Sequence, residues 1–310
     1  MDSLVTRLGG LPLAVVQAGQ YMRETGTSCQ MYLRLYNTSW SELQAGVPRL
    51  RDYPNGSVQT TWSISYEHVK QSDPTAAKLL QLWAYLDHQD LWFELLKRGS
   101  RGSKDPVWFQ DIVRSEIGFK RVVKMLLAYS LVESHRDTES YSIHPVVHDW
   151  CVESISRGKH DLMMLALMVV GFAVPEPSEP EYWVMQQRLL PHANRCVQQL
   201  SGVNVADVDE DKDSNVAFHN LGLLYADQGK MVEAEKMYQR ALDGKEKAWG
   251  PEHTSTLNTV NNLGVLYKGQ GKLVEAEKMY QRALEGYERL RGPTHPSTKR
   301  IRRNLSNLGT

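Results

Sequence analysis

The feature that most constrains the fold is a long internal repeat in the last third of the sequence. Residues 232–242 recur letter for letter as residues 274–284, at an offset of 42. The same offset relates residues 220–222 to residues 262–264, and Asn304 begins a third, incomplete copy. Because one repeat of this length cannot bury its own apolar face, the pattern indicates supersecondary units that stack on their neighbours.

Each copy has two helical patterns, one on either side of Gly229 or Gly271, which predicts a helical hairpin. The pattern resembles the tetratricopeptide repeat, and its Gly-Pro-x-His connection resembles the kinesin-light-chain class of these repeats. Glu246 and Glu288 stand where the family has a closing proline, and each copy is about eight residues longer than the usual repeat. The resemblance implies an α-solenoid. The family positions, which we expect to be structural, are occupied by Leu221, Gly222, Tyr225, Ala234, Tyr238 and Ala241 in the first copy and by Leu263, Gly264, Tyr267, Ala276, Tyr280 and Ala283 in the second.

The resemblance also implies that the repeats bind a protein or a peptide. A solenoid presents a concave surface lined by the first helix of each hairpin, where an extended or helical ligand can lie. Asn220, Asn262 and Asn304 recur at equal intervals, and we expect them to open this helix and to contact the ligand backbone. The charged residues of the second helix, such as Glu235 and Arg240, are expected to be solvated.

Residues 1–46 have helical patterns and contain the sequence Gly-Leu-Pro-Leu at positions 10–13. Glycine at a helix end and proline at a helix start suit the backbone preferences of these residues. The segment resembles the GLPL motif of NB-ARC domains, the nucleotide switches of the STAND class of signalling ATPases, which includes proteins of innate immunity. The resemblance implies that Pro12 and Leu13 lie near the adenine of a nucleotide. An ordinary helix start is the alternative interpretation.

Residues 57–155 show helical patterns followed by a hairpin pattern, an order typical of a winged helix. The segment after the hairpin resembles the MHD motif that closes the NB-ARC winged helix, with Val147 in place of methionine. The resemblance implies that His148 and Asp149 belong to a nucleotide site, where the histidine contacts the β-phosphate of ADP. Two alternatives stay open for this histidine: a structural core or capping residue, and a metal ligand together with His144.

Residues 156–213 are expected to connect the two halves as helices, with an acidic loop at 207–213. The apolar run at 162–174 has 13 residues, whereas a membrane-spanning helix needs about 20. This run therefore predicts a buried helix. The repeats are assigned to residues 214–310, as two full copies and one partial copy.

Composition excludes several classes of function. Lys plus Arg and Asp plus Glu both number 36, so the net charge is zero and no global field favours nucleic acid or acidic lipid. The three cysteines are far apart and lack the C-x-x-C spacing of zinc sites. They indicate free thiols in a reducing compartment and a cytoplasmic location, and no metal site is predicted.

The sequence also lacks the motifs of a nucleotide hydrolase. It has no P-loop of the form G-x-x-x-x-G-K-[ST] and no acidic strand end that would hold magnesium. We therefore expect the chain not to be an enzyme and to hold no cofactor of its own, although ADP or ATP is implied for the complete family architecture.

These observations predict a mainly α protein: a helical segment resembling the ARC part of NB-ARC domains, a winged helix with a short β-hairpin, and a tetratricopeptide solenoid. The predicted function is that of the non-catalytic regulatory and protein-binding portion of a STAND-type signalling protein. The expected partner is a protein or peptide on the concave face, or the missing nucleotide-binding domain. No membrane is expected as a partner. A standalone tetratricopeptide adaptor is the main alternative, and a winged-helix DNA regulator is a lesser one.

Overall fold

The computed structural model describes residues 4–5, 8, 12–46, 57–156, 160–200 and 212–308. These residues are mainly helical, with a small sheet of two strands, so the predicted mainly α fold is confirmed. The chain divides into two compact units, Met1–Ala166 and Leu167–Thr310.

Unit one consists of helices and one hairpin, and some of its helices, such as the one that starts at Pro74, begin at a capping side chain. The carboxylate of Asp73 accepts hydrogen bonds from the backbone N–H groups of Thr75 and Ala76 at 3.0 and 3.1 Å. Pro74 is the first residue of that helix, where its missing N–H costs nothing. In chain order the elements are α1 Pro12–Thr25, α2 Cys29–Gly46, α3 Ser57–Ser72, α4 Pro74–Trp83, α5 Phe93–Gly99, a 3₁₀ turn Gly102–Lys104, α6 Val107–Val113, α7 Glu116–Ala128, β1 Glu133–His135, β2 Ser140–Ser142, α8 Pro145–Trp150 and a π-helical turn Cys151–Ser156.

The core of unit one is rich in tryptophan. Trp62, Trp83 and Trp150 are fully buried, and the ring centroids of Trp62 and Trp150 lie 5.9 Å apart. Strands β1 and β2 are antiparallel, and Tyr141 of β2 stacks on Trp83 with a centroid distance of 6.2 Å. The hairpin is therefore fixed to the helical core. Helices followed by a hairpin is the order expected of a winged helix, and that assignment stays a prediction.

Helix α9, His160–Ala173, contains the apolar run of the sequence. Every residue from 163 to 171 is buried, which confirms the predicted buried helix. None of the helices in the described parts of the chain is long and apolar enough to cross a membrane. Helix α10, Tyr182–Leu200, follows, and most of the predicted acidic loop, residues 207–211, lies outside the described residues.

Unit two contains the repeats, as two helical hairpins followed by one further helix. Gly229 and Gly271 lie in the two hairpin turns with φ of 71° and 75°, a region that favours glycine. Each helix packs on the next along the chain, so the predicted solenoid of stacked hairpins is confirmed. The helices are α11 Lys212–Asp227, α12 Met231–Trp249, α13 Thr254–Gly269, α14 Leu273–Arg291 and α15 Pro296–Ser306.

The first helix of a repeat begins earlier than the sequence predicts. We expected Asn220, Asn262 and Asn304 to open these helices, and this is wrong, because each asparagine lies well inside its helix. The Gly-Pro-x-His segments supply the start: Nδ1 of His253 and Nδ1 of His295 each accept a hydrogen bond of 3.2 Å from the N–H two residues later. These segments therefore belong to the start of the helix and cap it.

Helix α15 packs against α14, as expected of a helix that follows the second repeat. Ile301 is the fully buried apolar residue of α15, whereas Leu305 and Leu308 are only half-buried. At the offset of 42, Ile301 corresponds to the polar Thr259 of the second copy. The outward residues of the helix, among them Lys299 and Arg303, are exposed.

Removal of residues 297–310 is expected to lower the melting temperature of unit two and to increase self-association. Burial of Ile301 and partial burial of the two leucines is worth about 3 kcal/mol before ordering costs, and its loss would uncover apolar surface on α14. Thermal melting and size-exclusion chromatography of the truncated and intact chains measure both effects. Equal melting temperatures and a monomeric elution profile would show that α15 neither stabilises unit two nor shields apolar surface on α14.

Candidate protein-binding site

The repeats are held together by two close contacts between glycine and tyrosine. A Cβ atom added to Gly222 of α11 would lie 2.6 Å from the ring of Tyr238 in α12, and one added to Gly264 of α13 would lie 2.8 Å from Tyr280 in α14. Both tyrosines are buried. The two hairpins thus pack through the same contact, which fixes equivalent faces of α11 and α13 against their second helices.

The other family positions of the repeats lie where the resemblance implies. The alanines are completely buried and allow close helix packing, while Tyr225 is buried and Tyr267 is half-buried. Burial raises the pKa of Tyr267, and the carboxylate of Glu235 adds to this shift. These side chains therefore form the interior of the solenoid, and the buried alanines are Ala234, Ala241, Ala276 and Ala283.

The repeated asparagines are half-buried on the first helices, and two of them have partners inside the protein. Asn220 Nδ2 donates to the carbonyl of Gly171 at 3.1 Å. The Asn262 side chain hydrogen-bonds with Tyr238 and accepts from Asn261. These contacts tie each first helix to a preceding helix, and a role in partner binding stays a prediction for Asn220, Asn262 and Asn304.

A glycine in α9 makes the contact of Asn220 with that helix feasible. A Cβ atom added to Gly171 would lie 2.6 Å from the Cβ of Ala217 in α11, so the two helices approach almost backbone to backbone. The sequence carried a signal for this contact, because Gly171 interrupts a long apolar helix in which glycine is unfavourable. No role was predicted for this glycine from the sequence.

Polar bridges join the first repeat to the second. Glu235 accepts hydrogen bonds from Gln270 and Lys272, both at 3.0 Å. Burial of Glu235 by itself raises its pKa, but the donors Gln270 and Lys272 outweigh burial, so the pKa is lowered. Arg282 pairs with Glu246 of the preceding repeat. The expected solvated face of the second helices is therefore in part an inter-repeat interface, and a carboxylate at the family's proline position takes part in it.

A buried polar cluster lies between α11, α12 and α13. Lys245 is only 2% exposed, and its Nζ donates to Thr259 Oγ1 at 3.0 Å and to the carbonyl of Ser255 at 3.4 Å. Nδ1 of His219 lies 3.0 Å from the same hydroxyl. Burial lowers the pKa of Lys245 to about 8, and burial together with the charge of Lys245 lowers the pKa of His219 to about 3.

This cluster was not predicted from the sequence, although a difference between the two copies points to it. At the offset of 42, Lys245 corresponds to Tyr287 and Thr259 corresponds to Ile301. The polar side chains of the first junction are thus replaced by larger, more apolar ones at the second. Such a difference between corresponding positions of the copies indicates that the packing partner has changed.

An open groove follows the outer face of α12, with a volume of about 630 Å³. Its lining includes the exposed Val232 and the charged side chains of Lys236, Asp243 and Lys247. Opposite charges alternate along it, so the groove has no marked preference for an anion or a cation. Most of its lining residues recur in the second copy, and the first-helix side remains the candidate for ligand contact.

The sequence-predicted nucleotide contacts lie in different parts of unit one. Pro12 is exposed at the start of α1, which also contains Leu13, whereas Gly10 and Leu11 of the motif lie outside the described residues. Helix α1 is anchored by Gln17 Nε2, which donates to the carbonyl of Ser130 at 2.9 Å. The structure thus places this segment against the end of α7.

His148 is 4% exposed, and its Nε2 lies 3.0 Å from the carbonyl oxygen of Leu86. Because a carbonyl only accepts, Nε2 carries the proton in this contact. The ring of His88 is 5.9 Å away, and Asp149 is exposed. His144 caps α8, accepting from the N–H of Val146 at 3.4 Å. Among the residues that the structure describes, no group of three or more His, Cys, Asp or Glu side chains is placed to hold a metal ion.

Comparison with known families separates the two units. Residues 213–288 and 256–308 match the family described as Tetratricopeptide repeat. Residues 67–160 match a family described as Domain of unknown function (DUF7779), which covers most of the region expected to be a winged helix. The repeat match agrees with the helical hairpins of unit two.

Individual proteins give a broader similarity. A "Nucleotide-binding leucine-rich repeat (NLR)-like protein" of Hyaloscypha variabilis is 27% identical in an alignment 278 residues long that covers 83% of this chain. The chain spans 25% of the length of that relative. The crystal structure of BtubC (BKLC) from P. vanneervenii aligns at 16% identity with a TM-score of 0.39 and 80% of each chain covered, which is too low to establish a shared fold. The chain therefore carries tetratricopeptide repeats in its last third and resembles an NLR-like protein over most of its length.

Proposed function

We propose that this chain is the regulatory and protein-binding portion of a STAND-type, nucleotide-switched signalling protein. The observation that carries the proposal is that one chain combines the repeats with similarity to an NLR-like protein over 83% of its residues. In this proposal residues 1–46 are the ARC-like segment, residues 57–155 the winged helix, residues 156–213 the connector and residues 214–310 the sensing arm. The repeat region acts as a non-catalytic surface for protein binding.

Few side chains of this chain would contact a nucleotide. Pro12, Leu13, His148 and Asp149 would be peripheral contacts to ADP or ATP, since the phosphate-binding loop that surrounds a nucleotide is not in this sequence. Nε2 of His148 is engaged by the carbonyl of Leu86, and a contact to a phosphate oxygen would need a ring nitrogen that carries a proton. The phosphate charge of the bound nucleotide would distinguish the resting state from the active state.

The repeats are proposed to bind a protein or peptide along the first helices, or to contact the nucleotide-binding domain of the longer protein. Val265 of α13 is 50% exposed, and Lys268 is exposed one turn away. Together with Asn304 they offer apolar, cationic and amide contacts on the first helices, a mixture suited to a polypeptide. Binding there would raise the stability of the array.

The transcript that encodes this chain is expected to continue upstream in the same reading frame. A STAND switch needs a phosphate-binding loop, so the upstream frame should encode G-x-x-x-x-G-K-[ST] followed by an acidic strand end. Mapping of the 5′ end of the messenger RNA tests this. A transcript that starts directly upstream of Met1, from its own promoter, would contradict the switch and would indicate a standalone repeat adaptor.

A further inference from the structure

In each repeat, one stripe of the first helix is covered by the second helix. In α13 the stripe has the spacing i, i+3, i+4 and i+7, which places its members on one helical face. Two contacts show what covers it: Tyr280 lies against Gly264, and Leu257 lies against Gly286 of α14. All members of the stripe are buried, and they are Leu257, Val260, Asn261 and Gly264.

Helix α15 carries different chemistry at the same positions. Addition of 42 to each residue number gives a stripe whose members are all exposed: Lys299, Arg302, Arg303 and Ser306. Ser306 stands where both repeats need glycine, because a Cβ atom at Gly264 would already lie 2.8 Å from the tyrosine ring. A second helix of the same apolar kind therefore does not fit this face, either by shape or by charge.

The charged side chains of α15 all have the same sign. The helix contains the cations Lys299, Arg300, Arg302 and Arg303 and no acidic residue. Arg302 pairs with Glu288 at 2.5 Å, which shows that a carboxylate suits this face. Within the described residues, neither Lys299 nor Arg303 forms an ion pair with a carboxylate, and both side chains are exposed. A helix that served only to keep the end of the array soluble would do so with charges of both signs.

We propose that Lys299, Arg302, Arg303 and Ser306, here named the cationic stripe, dock an acidic segment of a partner protein. The segment would lie on α15 where the second helix lies on α13, with its carboxylates paired to Lys299 and Arg303. The cationic stripe lies on a face of α15 different from the face that carries Asn304, the residue used in the proposed function. The inference does not depend on the nucleotide switch.

A short acidic polypeptide fits the surroundings better than a long polyanion. The stripe spans about two helical turns, whereas nucleic acid needs an extended track of cations. The adjacent helix α14 exposes charges of both signs, among them Glu277, Lys278 and Glu285, so it does not extend the cationic track beyond α15. The net charge of zero also supplies no general attraction for nucleic acid or anionic lipid.

The test measures binding of a fluorescein-labelled oligoglutamate peptide to the intact chain by fluorescence anisotropy at low salt. An oligoglutamine peptide of the same length controls for contacts that do not depend on charge. The variant Lys299→Glu with Arg303→Glu reverses the stripe, and Lys236→Glu with Lys278→Glu makes the same change in net charge on exposed faces of α12 and α14. Thermal melting confirms that each variant is folded. If the reversed stripe unfolds α15, Lys299→Gln with Arg303→Gln replaces it.

We expect the oligoglutamate peptide to bind to the intact chain and the oligoglutamine peptide not to bind. Reversal of the stripe should weaken oligoglutamate binding by at least about tenfold, since like charges would then face the ligand, while the matched control stays within about twofold. An equal loss in both variants, or no preference for glutamate, would overturn it. Duplex DNA or phosphatidylserine vesicles that bind as tightly as oligoglutamate, with the same loss on reversal of the stripe, would also overturn the assignment to an acidic polypeptide.

Discussion

Replacement of Gly222 by alanine is expected to lower the free energy of unfolding of the repeats by about 2 kcal/mol. The new Cβ would lie 2.6 Å from the ring of Tyr238, which is buried and cannot move away without disturbing α12. Overpacking should outweigh the gain that alanine normally brings to a helix interior. Urea denaturation of the intact chain, followed by the fluorescence and circular dichroism of the repeats, measures the difference.

Gly269 supplies a matched control at the end of the next first helix. A Cβ atom there meets only the flexible end of Met231, at 4.0 Å, so Gly269→Ala is expected to be neutral or stabilising by up to about 1 kcal/mol. The two substitutions are chemically identical, and only Gly222→Ala should lower the free energy of unfolding. A Gly222→Ala variant as stable as the native chain would show that the contact between glycine and tyrosine does not fix the hairpin.

Replacement of Lys245 by methionine is expected to raise the free energy of unfolding of the repeats by about 2 to 3 kcal/mol at pH 7. Burial lowers the pKa of Lys245 from its ordinary value of 10.5 to about 8, so the folded state pays for a buried ammonium without a carboxylate. Methionine has a similar length and no charge to desolvate. The hydroxyl of Thr259 keeps His219 as a partner, which limits the loss of hydrogen bonding.

The pH dependence gives this prediction a second test. Between pH 8 and 10.5 the unfolded chain holds the lysine proton and the folded chain releases it, so the native repeats gain stability as pH rises through this range. The advantage of Lys245→Met should therefore be complete below pH 8 and nearly absent at 10.5. Lys236→Met, at an exposed position of the same helix, should change little at any pH. A less stable Lys245→Met variant at pH 7 would contradict the account.

The sequence predicted the repeats well because their information is local and duplicated. Identical letters in residues 232–242 and 274–284 imply identical helices, and Gly222 and Gly264 mark the close helix contacts in both copies. Helix starts were harder to predict. Histidine is an uncommon helix cap, so the sequence around His253 and His295 is typical of a connection. Their position before Ser255 and Ser297 nevertheless suits a side chain that accepts from the second N–H.

The parts that sequence analysis missed depend on residues distant along the chain. Lys245, Thr259 and His219 belong to three helices, and no spacing within one helix indicates that they meet. The hydrogen bond of His148 with Leu86 joins positions 62 residues apart. A motif can suggest that His148 matters, but only the folded unit shows which nitrogen is engaged and by what.

The most direct test of the central claim uses the longer protein that includes the nucleotide-binding domain. His148→Ala should speed the dissociation of bound ADP by about tenfold, because a hydrogen bond to a charged phosphate is worth about 1.5 kcal/mol or more. His144→Ala removes the cap of α8 four residues earlier and serves as the control, with ADP dissociation close to that of the native protein. Stopped-flow exchange of a fluorescent ADP analogue gives the rates. Faster release from His148→Ala alone is the predicted result, and release at the native rate would contradict the account.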